Sequence, residues 1–404
     1  NERDLCCTRG FGEQRWTTSL AWNPVSHFSL STGQEPDKLL AYLDNEQRRE
    51  TRTFGFLSYD LGYTLLRIKP TAQNDLSLPD AQFFAFDSYM TFKDEGLILW
   101  ATNEERLHTF EKEVQTILVR AIVSSHHDEM NIVQELQPNT SAELYGKSYE
   151  KIKRYIFEGD IYQINLTHRL KGKTNKSARD LFIDVGEKNK VGFLAYFEGD
   201  GFELISASPE KFIQISETNV IESFPIKGTR PRGKTLEEDE LRKNDLLSSE
   251  KEAAELNMIT DLLRNDLGKI CEVGSVNLLS TRTAHAFATV WHTVSHIRGQ
   301  LKNNISPADA LLSMFPGGSI TGCPKKRAME IIDELEPTRR GPYTGCIGFI
   351  DPDGRAEFNI AIRTFIKKGN DVFFQVGGGI VADSSEKAEY QETFDKARSF
   401  FGIL

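Results

Sequence analysis

Apolar and aromatic residues run together, or alternate with polar ones, along three segments near the start of the chain. These segments are FGFLSYDLGY (54–63), DAQFFAFDSYMTFKD (80–94) and GLILWATN (96–103), with turn residues between them. Such patterns, rich in aromatic and β-branched residues, are typical of strands. The next segment, 104–123, spaces its apolar residues at helical intervals and predicts an amphipathic helix. The beginning of the chain is therefore predicted to be rich in strands.

A polar stretch over 124–141 follows and is the best candidate for a linker. At 404 residues the chain exceeds the ~100–200 residues of a typical domain, so two domains or one large duplicated domain are expected. We place the boundary within the polar stretch. It divides an N-terminal region, 1–140, from a second domain, 141–404.

The second domain combines both kinds of pattern. Helices are predicted over 141–160, 248–267, 322–335 and within 384–400, and strands over 161–170, 192–216, 219–229 and 285–299, with three more within 345–381. Consecutive strands joined by short turns, with occasional helices between them, favour antiparallel sheets. The predicted fold class is therefore α+β, with antiparallel sheets backed by helices.

Composition and charge restrict the partners that this chain can bind. A net charge of −10, with 39% hydrophobic and 27% charged residues, indicates a globular protein without the broad basic face that a nucleic acid or an anionic membrane requires. No apolar run approaches the ~20 residues of a membrane span. The five cysteines form neither a disulfide framework nor a CxxC metal motif. We therefore expect no nucleic-acid or membrane partner, and a cytoplasmic location.

Two pairs of glutamates are the strongest chemical signal in the pattern. Glu252 and Glu255 are three residues apart on one predicted helix, and Glu389 and Glu392 repeat that spacing on another. Carboxylates at this spacing project from one side of a helix. Oxygen ligands of this kind can hold Mg²⁺ beside an anionic substrate. From spacing alone, two solvated helix faces are the more common interpretation, and a metal site needs further evidence.

Glycine-rich turns are a second signal. FPGGSITGCPKKRAMEII (315–332) places glycines before a helix, and QVGGGIVADS (375–384) has three consecutive glycines after a strand. Backbone N–H groups in such turns can bind a carboxylate or a phosphate. Neither segment matches the P-loop or the dinucleotide-binding fingerprint, and a plain turn remains the alternative.

Lys227 and His292 are two further candidates, each within a predicted strand. Lys227 follows an apolar strand and precedes a glycine in PIKGTR. A lysine there is either an exposed edge residue or, if it is buried, a nucleophile or base, because burial favours the neutral amine. His292 is either a proton carrier or a hydrogen-bonded core histidine.

Three long blocks carry a resemblance to a known family. ELNMITDLLRNDLG, FPGGSITGCPKKRAMEIIDELEP and GGGIVADSSEKAEYQETFDKAR together resemble the signature blocks of the chorismate-utilising enzymes. The resemblance covers 142–404, and GFLSYDLG (55–62) is similar to the weaker N-terminal part of the aminotransferring members. It implies a sandwich of antiparallel sheets backed by helices, a chorismate-binding catalytic domain over 141–404, and an active site in a central cleft.

The resemblance also assigns roles to individual residues. It implies that Glu255 and Glu392 bind Mg²⁺, and that Glu252 and Glu389 act through metal-bound water. The residues implied to hold the substrate are Tyr343, Arg363, Gly377, Gly378, Gly379, Ser319, Thr321 and Gln163. Those implied to be catalytic are Lys227, Glu210 and His292, with Glu210 as the acid or base near the ring hydroxyl.

Two positions separate the branches of this family. Isochorismate and salicylate synthases have a lysine base where this chain has Gln163, and an amide cannot activate water. Anthranilate synthases typically have PIAGT, whereas the PIKGT of this chain resembles the branch that forms aminodeoxychorismate, the precursor of 4-aminobenzoate in folate biosynthesis. The implied reaction replaces the C4 hydroxyl of chorismate with the amino group of ammonia.

The ammonia implies a partner. No cysteine lies in a glycine-rich nucleophile elbow, so a separate glutamine amidotransferase subunit is expected to supply it. Two alternatives remain. One is an anthranilate synthase component, which would also eliminate pyruvate. The other is a catalytically silent relative that binds chorismate or an amino acid as a regulator.

Overall fold

The computed structural model describes residues 5–12, 15–94, 96–123, 136–189, 192–287 and 290–401. These residues form two large antiparallel sheets with helices on their outer faces. In this part of the chain no helix is long and apolar enough to cross a membrane.

Strands and helices are numbered separately in chain order. The strands are β1 (Cys6–Gly12), β2 (Arg15–Ala21), β3 (Ser26–Leu30), β4 (Arg52–Leu57), β5 (Ala81–Phe86), β6 (Ser88–Lys93), β7 (Gly96–Ala101), β8 (Gln137–Pro138), β9 (Gln163–Lys173), β10 (Phe193–Gly199), β11 (Phe202–Ser208), β12 (Lys211–Ile215), β13 (Val220–Ser223), β14 (Ile226–Pro231), β15 (Asn277–Ala286), β16 (Val290–Gln300), β17 (Gly322–Cys323), β18 (Cys346–Ile350), β19 (Ala356–Ile360), β20 (Thr364–Lys368) and β21 (Asp371–Ile380). The helices are α1 (Asp37–Arg48), α2 (Leu61–Leu65), α3 (Glu104–Val123), α4 (Ala142–Phe157), α5 (Ala178–Lys188), α6 (Leu236–Ser248), α7 (Glu250–Ile270), α8 (Pro307–Met314), α9 (Lys325–Leu335) and α10 (Glu386–Phe401).

Each sheet contains strands from both of the predicted regions. The first sheet has the order β17-β9-β21-β20-β11-β10-β1-β2-β6-β7, with β8 paired to β9. The second has the order β14-β16-β13-β12-β19-β18-β4-β5-β3, with β15 paired to β16. Strands before and after residue 140 are therefore hydrogen-bonded to one another, at β1–β10 and at β4–β18. The boundary at residue 140 remains a prediction.

An aromatic cluster joins the facing sides of the two sheets. Phe56 and Phe84 of the second sheet contact Phe197 of the first, with ring centroids 5.2 and 5.1 Å apart. Aromatic pairs at such distances stabilise a core beyond the area they bury. The cluster packs the two sheets face to face.

Helix α7 shows how local sequence positions a functional face. The side chain of Ser249 accepts a hydrogen bond from the backbone N–H of Glu252 and caps the helix. Leu256, Ile259 and Leu263 are buried against the core. This apolar stripe fixes the rotation of the helix, so Glu252 and Glu255 project from a different side.

Several predicted elements are confirmed, including the antiparallel α+β fold class itself. The helix predicted over 104–123 is α3, and those predicted over 141–160, 248–267 and 322–335 correspond to α4, α7 and α9. The helix predicted within 384–400 is α10. Of the predicted linker, 124–135 lies outside the described residues.

Three strand predictions were wrong. The strand predicted over 54–63 ends at Leu57, and α2 follows; because every residue from 51 to 63 is buried, the apolar run could not distinguish strand from helix. The strand predicted over 285–299 is divided between the end of β15 and β16. The segment 345–381 contains four strands rather than three, because Arg363 adopts φ +51° between β19 and β20.

Candidate active site

The candidate site lies where the ends of the two sheets approach each other. Lys227 on β14 of the second sheet extends toward Gly379 on β21 of the first. A Cβ atom at Gly379 would lie 3.7 Å from the Lys227 Nζ and 2.8 Å from the Gln163 Nε2. A side chain at Gly379 would therefore fill the space that these two groups share. Gln163, at the start of β9, is buried, and its Oε1 has no hydrogen-bond partner in the described part of the chain.

A β-bulge directs the Lys227 side chain. The register of β14 against β16 shifts between Lys227 and Thr229, and Gly228 has φ +75°. Bulges of this kind bend a strand and re-aim its side chains, and glycine adopts the required conformation at no steric cost. A Cβ atom at Gly228 would also lie only 2.5 Å from the Glu252 Oε2. The glycine of PIKGTR thus brings β14 and α7 into close contact.

Glu210 lies in a dry environment beside this lysine. It is 7% exposed, and the Ser319 hydroxyl donates a 2.6 Å hydrogen bond to its Oε1. Burial raises the pKa of Glu210 to about 7, although the Ser319 hydrogen bond and the Lys227 charge act in the opposite direction. A carboxyl group with this pKa can donate a proton near neutral pH.

His292 presents one bare nitrogen. Its Nδ1 lies 3.0 Å from the Gly228 carbonyl, which can only accept a hydrogen bond, so Nδ1 carries the proton. Burial lowers the pKa of His292 to about 4, and the charges of Arg363 and Lys396 add to this effect. The buried Nε2 has no partner among the residues described here. His292 is therefore a neutral hydrogen-bond acceptor.

The first glutamate pair lies on α7. Arg230 donates a 2.9 Å hydrogen bond to the Glu252 Oε1, whereas the buried Oε2 lacks a partner within the described chain. Burial raises the pKa of Glu255, and Glu389 and Glu392 raise it further, whereas Lys227 and Lys251 lower it. The effect of Glu389 and Glu392 on the pKa of Glu255 indicates that the two glutamate pairs are close together.

Those carboxylates lie on α10. Glu389 is buried and accepts a 2.7 Å hydrogen bond from the Ser384 hydroxyl, and its Oε2 would be 3.2 Å from a Cβ atom at Gly378. Lys251 of α7 lies 3.7 Å from the Glu389 Oε1 and 4.0 Å from the Glu255 Oε1. A lysine therefore links the two glutamate-bearing helices.

Glu392 is half-exposed and has its own cation. The Lys396 Nζ lies 2.8 Å from the Glu392 Oε1 and donates a 2.9 Å hydrogen bond to the Gly377 carbonyl. Although burial opposes the shift, Lys396 lowers the pKa of Glu392. Sequence reasoning missed Lys396, yet its spacing of four residues from Glu392 on a predicted helix was a usable signal.

The four glutamates supply the oxygen donors of the predicted metal site. Among the described residues, no group of three or more His, Cys, Asp and Glu side chains is arranged to hold a metal ion. The donors are nevertheless all carboxylate oxygens, the type that Mg²⁺ prefers, and the buried Oε2 of Glu252 has no protein partner in this part of the chain. The donor type therefore fits Mg²⁺, and the protein cations beside these oxygens are Lys251, Arg230 and Lys396.

Arg363 is a buried cation of the site. Burial lowers its pKa, and within the described residues no carboxylate forms an ion pair with it. A planar guanidinium without a partner is suited to bind a carboxylate through two hydrogen bonds. Tyr343 is buried in the turn after Arg340, and burial raises its pKa.

A buried arginine that sequence reasoning missed ties the surrounding loops together. Arg340 pairs with Glu336 at 2.7 Å and donates hydrogen bonds to the carbonyls of Ile320 and Asn165. Thr321, predicted to bind substrate, donates its hydroxyl to carbonyls of its own loop, and so holds that loop in place. A side chain at Gly377 would collide with Thr167 on β9.

A cavity of about 380 Å³ lies elsewhere, beside α2. Asp60, Asp80 and Arg339 line it, and none of the predicted site residues does. Burial, with a contribution from Asp80, raises the pKa of Asp60 to about 7.

Comparisons with known proteins are consistent across sequence and structure. Residues 6–402 match the model of a family described as chorismate binding enzyme. The chain is 36% identical over 394 residues to aminodeoxychorismate synthase component 1 of Bacillus subtilis (strain 168), covering 92% of this chain and 83% of that protein. It is 39% identical over 361 residues to anthranilate synthase component 1 3 of Haloarcula marismortui, covering 86% of this chain and 71% of that protein.

A solved structure gives the same result. The crystal structure of anthranilate synthase component I from Streptococcus pneumoniae TIGR4 matches with a TM-score of 0.83 at 28% identity, covering 95% of this chain and 92% of that one. Proteins named for two different reactions thus have similar identity to this chain.

Proposed function

The chain belongs to the family of chorismate-binding enzymes, and on that premise we propose that it is an aminodeoxychorismate synthase component I. Its reaction would convert chorismate and ammonia to 4-amino-4-deoxychorismate and water. The observation that carries this proposal is the position of Lys227, whose amine extends toward Gly379 and interacts electrostatically with Glu210.

The charges of the site suit a dianionic substrate in an acidic protein. Arg363 would bind one carboxylate of chorismate through its two-pronged guanidinium. Mg²⁺ held by Glu255 and Glu392, with Glu252 and Glu389 acting through water, would neutralise the other carboxylate. Tyr343, Ser319 and the glycines of β21 would line the remaining surface.

The first step uses Lys227 and Glu210 together. The neutral amine of Lys227 would attack C2 of the ring while the C4 hydroxyl leaves and the double bond shifts. Glu210, with a pKa near 7, would protonate the leaving hydroxyl so that it departs as water. The result is a covalent lysine adduct and a Glu210 carboxylate.

The second step returns the ring double bond to its original position. Ammonia would attack C4, and Lys227 would leave C2 as a neutral amine. The new C4 ammonium would return a proton to Glu210, which restores the acid for the next turnover. The unpartnered Oε1 of Gln163 and the bare Nε2 of His292 are acceptors available to orient hydroxyl or ammonia protons.

Ammonia would come from a separate glutamine amidotransferase subunit. Relatives at 36% identity are named component 1, which implies a second component. We propose that this chain likewise pairs with a glutaminase, and that free ammonium substitutes for it in vitro.

Product analysis tests the proposal directly. Chorismate, ammonium and Mg²⁺ are incubated with the protein, and the products are separated before and after addition of an aminodeoxychorismate lyase. The expected product is aminodeoxychorismate, which the lyase converts to 4-aminobenzoate. Accumulation of anthranilate or isochorismate would contradict the assignment.

Anthranilate synthase is the second candidate, because relatives with that name are 34–39% identical to this chain. Its reaction would add elimination of pyruvate and aromatisation of the ring. The Lys227 side chain favours the first candidate. Anthranilate synthase would add ammonia directly at C2, so its reaction has no step in which a lysine must be bound to C2.

A further inference from the structure

Lys251 occupies an unusual position for a lysine. It lies in the first turn of α7, where the helix macrodipole disfavours a positive charge. Its amine nevertheless lies within 4.0 Å of two carboxylates, Glu255 on the same helix and Glu389 on α10. Its position therefore brings one positive charge to both glutamate-bearing helices.

Two other cations near the four glutamates, Arg230 and Lys396, are held more firmly than Lys251. Arg230 and Lys396 form hydrogen bonds of 2.9 and 2.8 Å to Glu252 and Glu392, and Lys396 also bonds the Gly377 carbonyl. The Lys251 contacts are longer than hydrogen bonds, and its side chain is 44% exposed. Lys251 is thus displaced more easily than Arg230 or Lys396.

Lys251 and a divalent cation would repel each other at these carboxylates. Mg²⁺ binds carboxylate oxygens at about 2.0–2.1 Å, and an ammonium within about 4 Å of the same oxygens would repel it strongly. We propose that the Lys251 ammonium competes with Mg²⁺ for Glu255 and Glu389, and that it keeps α7 and α10 in register until the metal displaces it. This inference rests on the proposed metal site.

Metal binding measured without substrate tests the competition. Binding of Mn²⁺, a paramagnetic substitute for Mg²⁺, is followed by electron paramagnetic resonance in wild type, Lys251→Met and Lys251→Arg. We expect Lys251→Met to bind Mn²⁺ about 3- to 10-fold more tightly, as the loss of one partly exposed competing charge implies. Lys251→Arg keeps the charge and should stay within about twofold of wild type.

A lysine that is paired outside the four glutamates is the matched control. Lys147 forms an exposed i,i+4 pair with Glu143 on α4, and Lys147→Met should leave Mn²⁺ affinity unchanged. Unchanged or weaker Mn²⁺ binding by Lys251→Met would overturn the inference, because a competitor's removal can only strengthen binding.

Thermal melting supplies a second measurement. The rise in Tm between EDTA and saturating Mg²⁺ should be larger for Lys251→Met than for wild type, since the carboxylates of the variant repel one another until the metal binds. Because the two Tm values are compared within the same variant, any direct effect of the substitution on the stability of α7 cancels. An equal or smaller rise would contradict the competition.

The two proposals fail in different ways. If wild type does not bind Mn²⁺, or if Glu255→Gln does not weaken the binding, the metal site itself is wrong. If wild type binds Mn²⁺ and Glu255→Gln weakens the binding, but Lys251→Met has the affinity of wild type, only the proposed competition is wrong.

Discussion

Two regions of the candidate site contain the same functional group in opposite surroundings. Glu210 is almost fully buried beside one serine hydroxyl, and burial raises its pKa to about 7. Glu392 is half-exposed and paired with Lys396, which lowers its pKa although burial opposes the shift. A carboxyl that holds its proton can act as an acid, and one that stays ionised can act as a metal ligand. Environment, not residue type, divides the two roles.

Lys227 lies between these regions. Its charge lowers the pKa of Glu210 in one region and those of Glu255 and Glu392 in the other. Lys227 thus acts electrostatically on both regions. Removing this side chain should therefore disturb both regions, whereas changes within one region should leave the other intact.

The largest expected effect comes from Lys227→Ala. If the amine is the nucleophile, ammonia-dependent turnover should fall by about 10³-fold or more, as removal of a nucleophile commonly produces. Chorismate binding, followed by calorimetry, should persist because Arg363 is untouched. Intact-mass analysis of wild type with chorismate and without ammonium should reveal an adduct that the variant lacks.

Lys211 is the matched control for this experiment. It is a largely buried strand lysine of the same sheet, paired with Glu357. Lys211→Ala should keep wild-type turnover. Unchanged turnover in Lys227→Ala would remove the lysine from the mechanism and strengthen the anthranilate synthase alternative.

The next effect should be confined to the carboxylate region. Glu255→Ala or Glu392→Ala removes an oxygen ligand from the proposed Mg²⁺ site, so half-maximal activity should require more than about 100-fold more Mg²⁺. The circular dichroism spectrum should be unchanged, since neither residue belongs to the core. Glu250→Gln, an exposed glutamate at the start of the same helix, is the control.

If both variants keep the Mg²⁺ dependence of wild type, the glutamates are ordinary helix residues. The interpretation of two solvated helix faces, which the spacing alone permits, would then be correct. A pKa of Glu210 that also changed in these variants would show that the two regions are not independent.

The sequence predicted much of the fold because long periodic segments determine their own structure. Helix α3 was predicted with its observed bounds, since its apolar spacing is uninterrupted. The strand prediction for 54–63 was wrong because every residue there is buried. Without an alternation of buried and exposed positions, the pattern cannot distinguish a strand from a helix. Most of β15 was missed because its residues alternate between exposed and partly buried positions along most of its length. The strand therefore has no apolar run.

The candidate site was predictable only as far as the family resemblance reached. Spacing indicated the glutamate pairs, the local sequence made Lys227 and His292 candidates, and the resemblance added Glu210 and Arg363. Lys251 and Arg340 were missed because their significance depends on contacts between α7, α10, β9 and the loops, which sequence spacing does not report. For Lys396, spacing shows the pair with Glu392 but not the hydrogen bond to the Gly377 carbonyl. Charge balance in a site is a property of the folded arrangement.

The smallest expected effect is a shift in pH dependence at Glu210. As the acid, Glu210 must be protonated, so kcat/KM should fall as pH rises above about 7. The Ser319 hydrogen bond stabilises the carboxylate and lowers its pKa, so Ser319→Ala should raise the pKa and move this limb to higher pH. One such bond corresponds to a shift of about one pH unit. Ser208 bonds only the backbone of Glu210, so Ser208→Ala should not move the limb. A limb that moves to lower pH, or that moves equally in both variants, would mean that Glu210 does not set the basic limb, and that the contrast with Glu392 has no catalytic consequence.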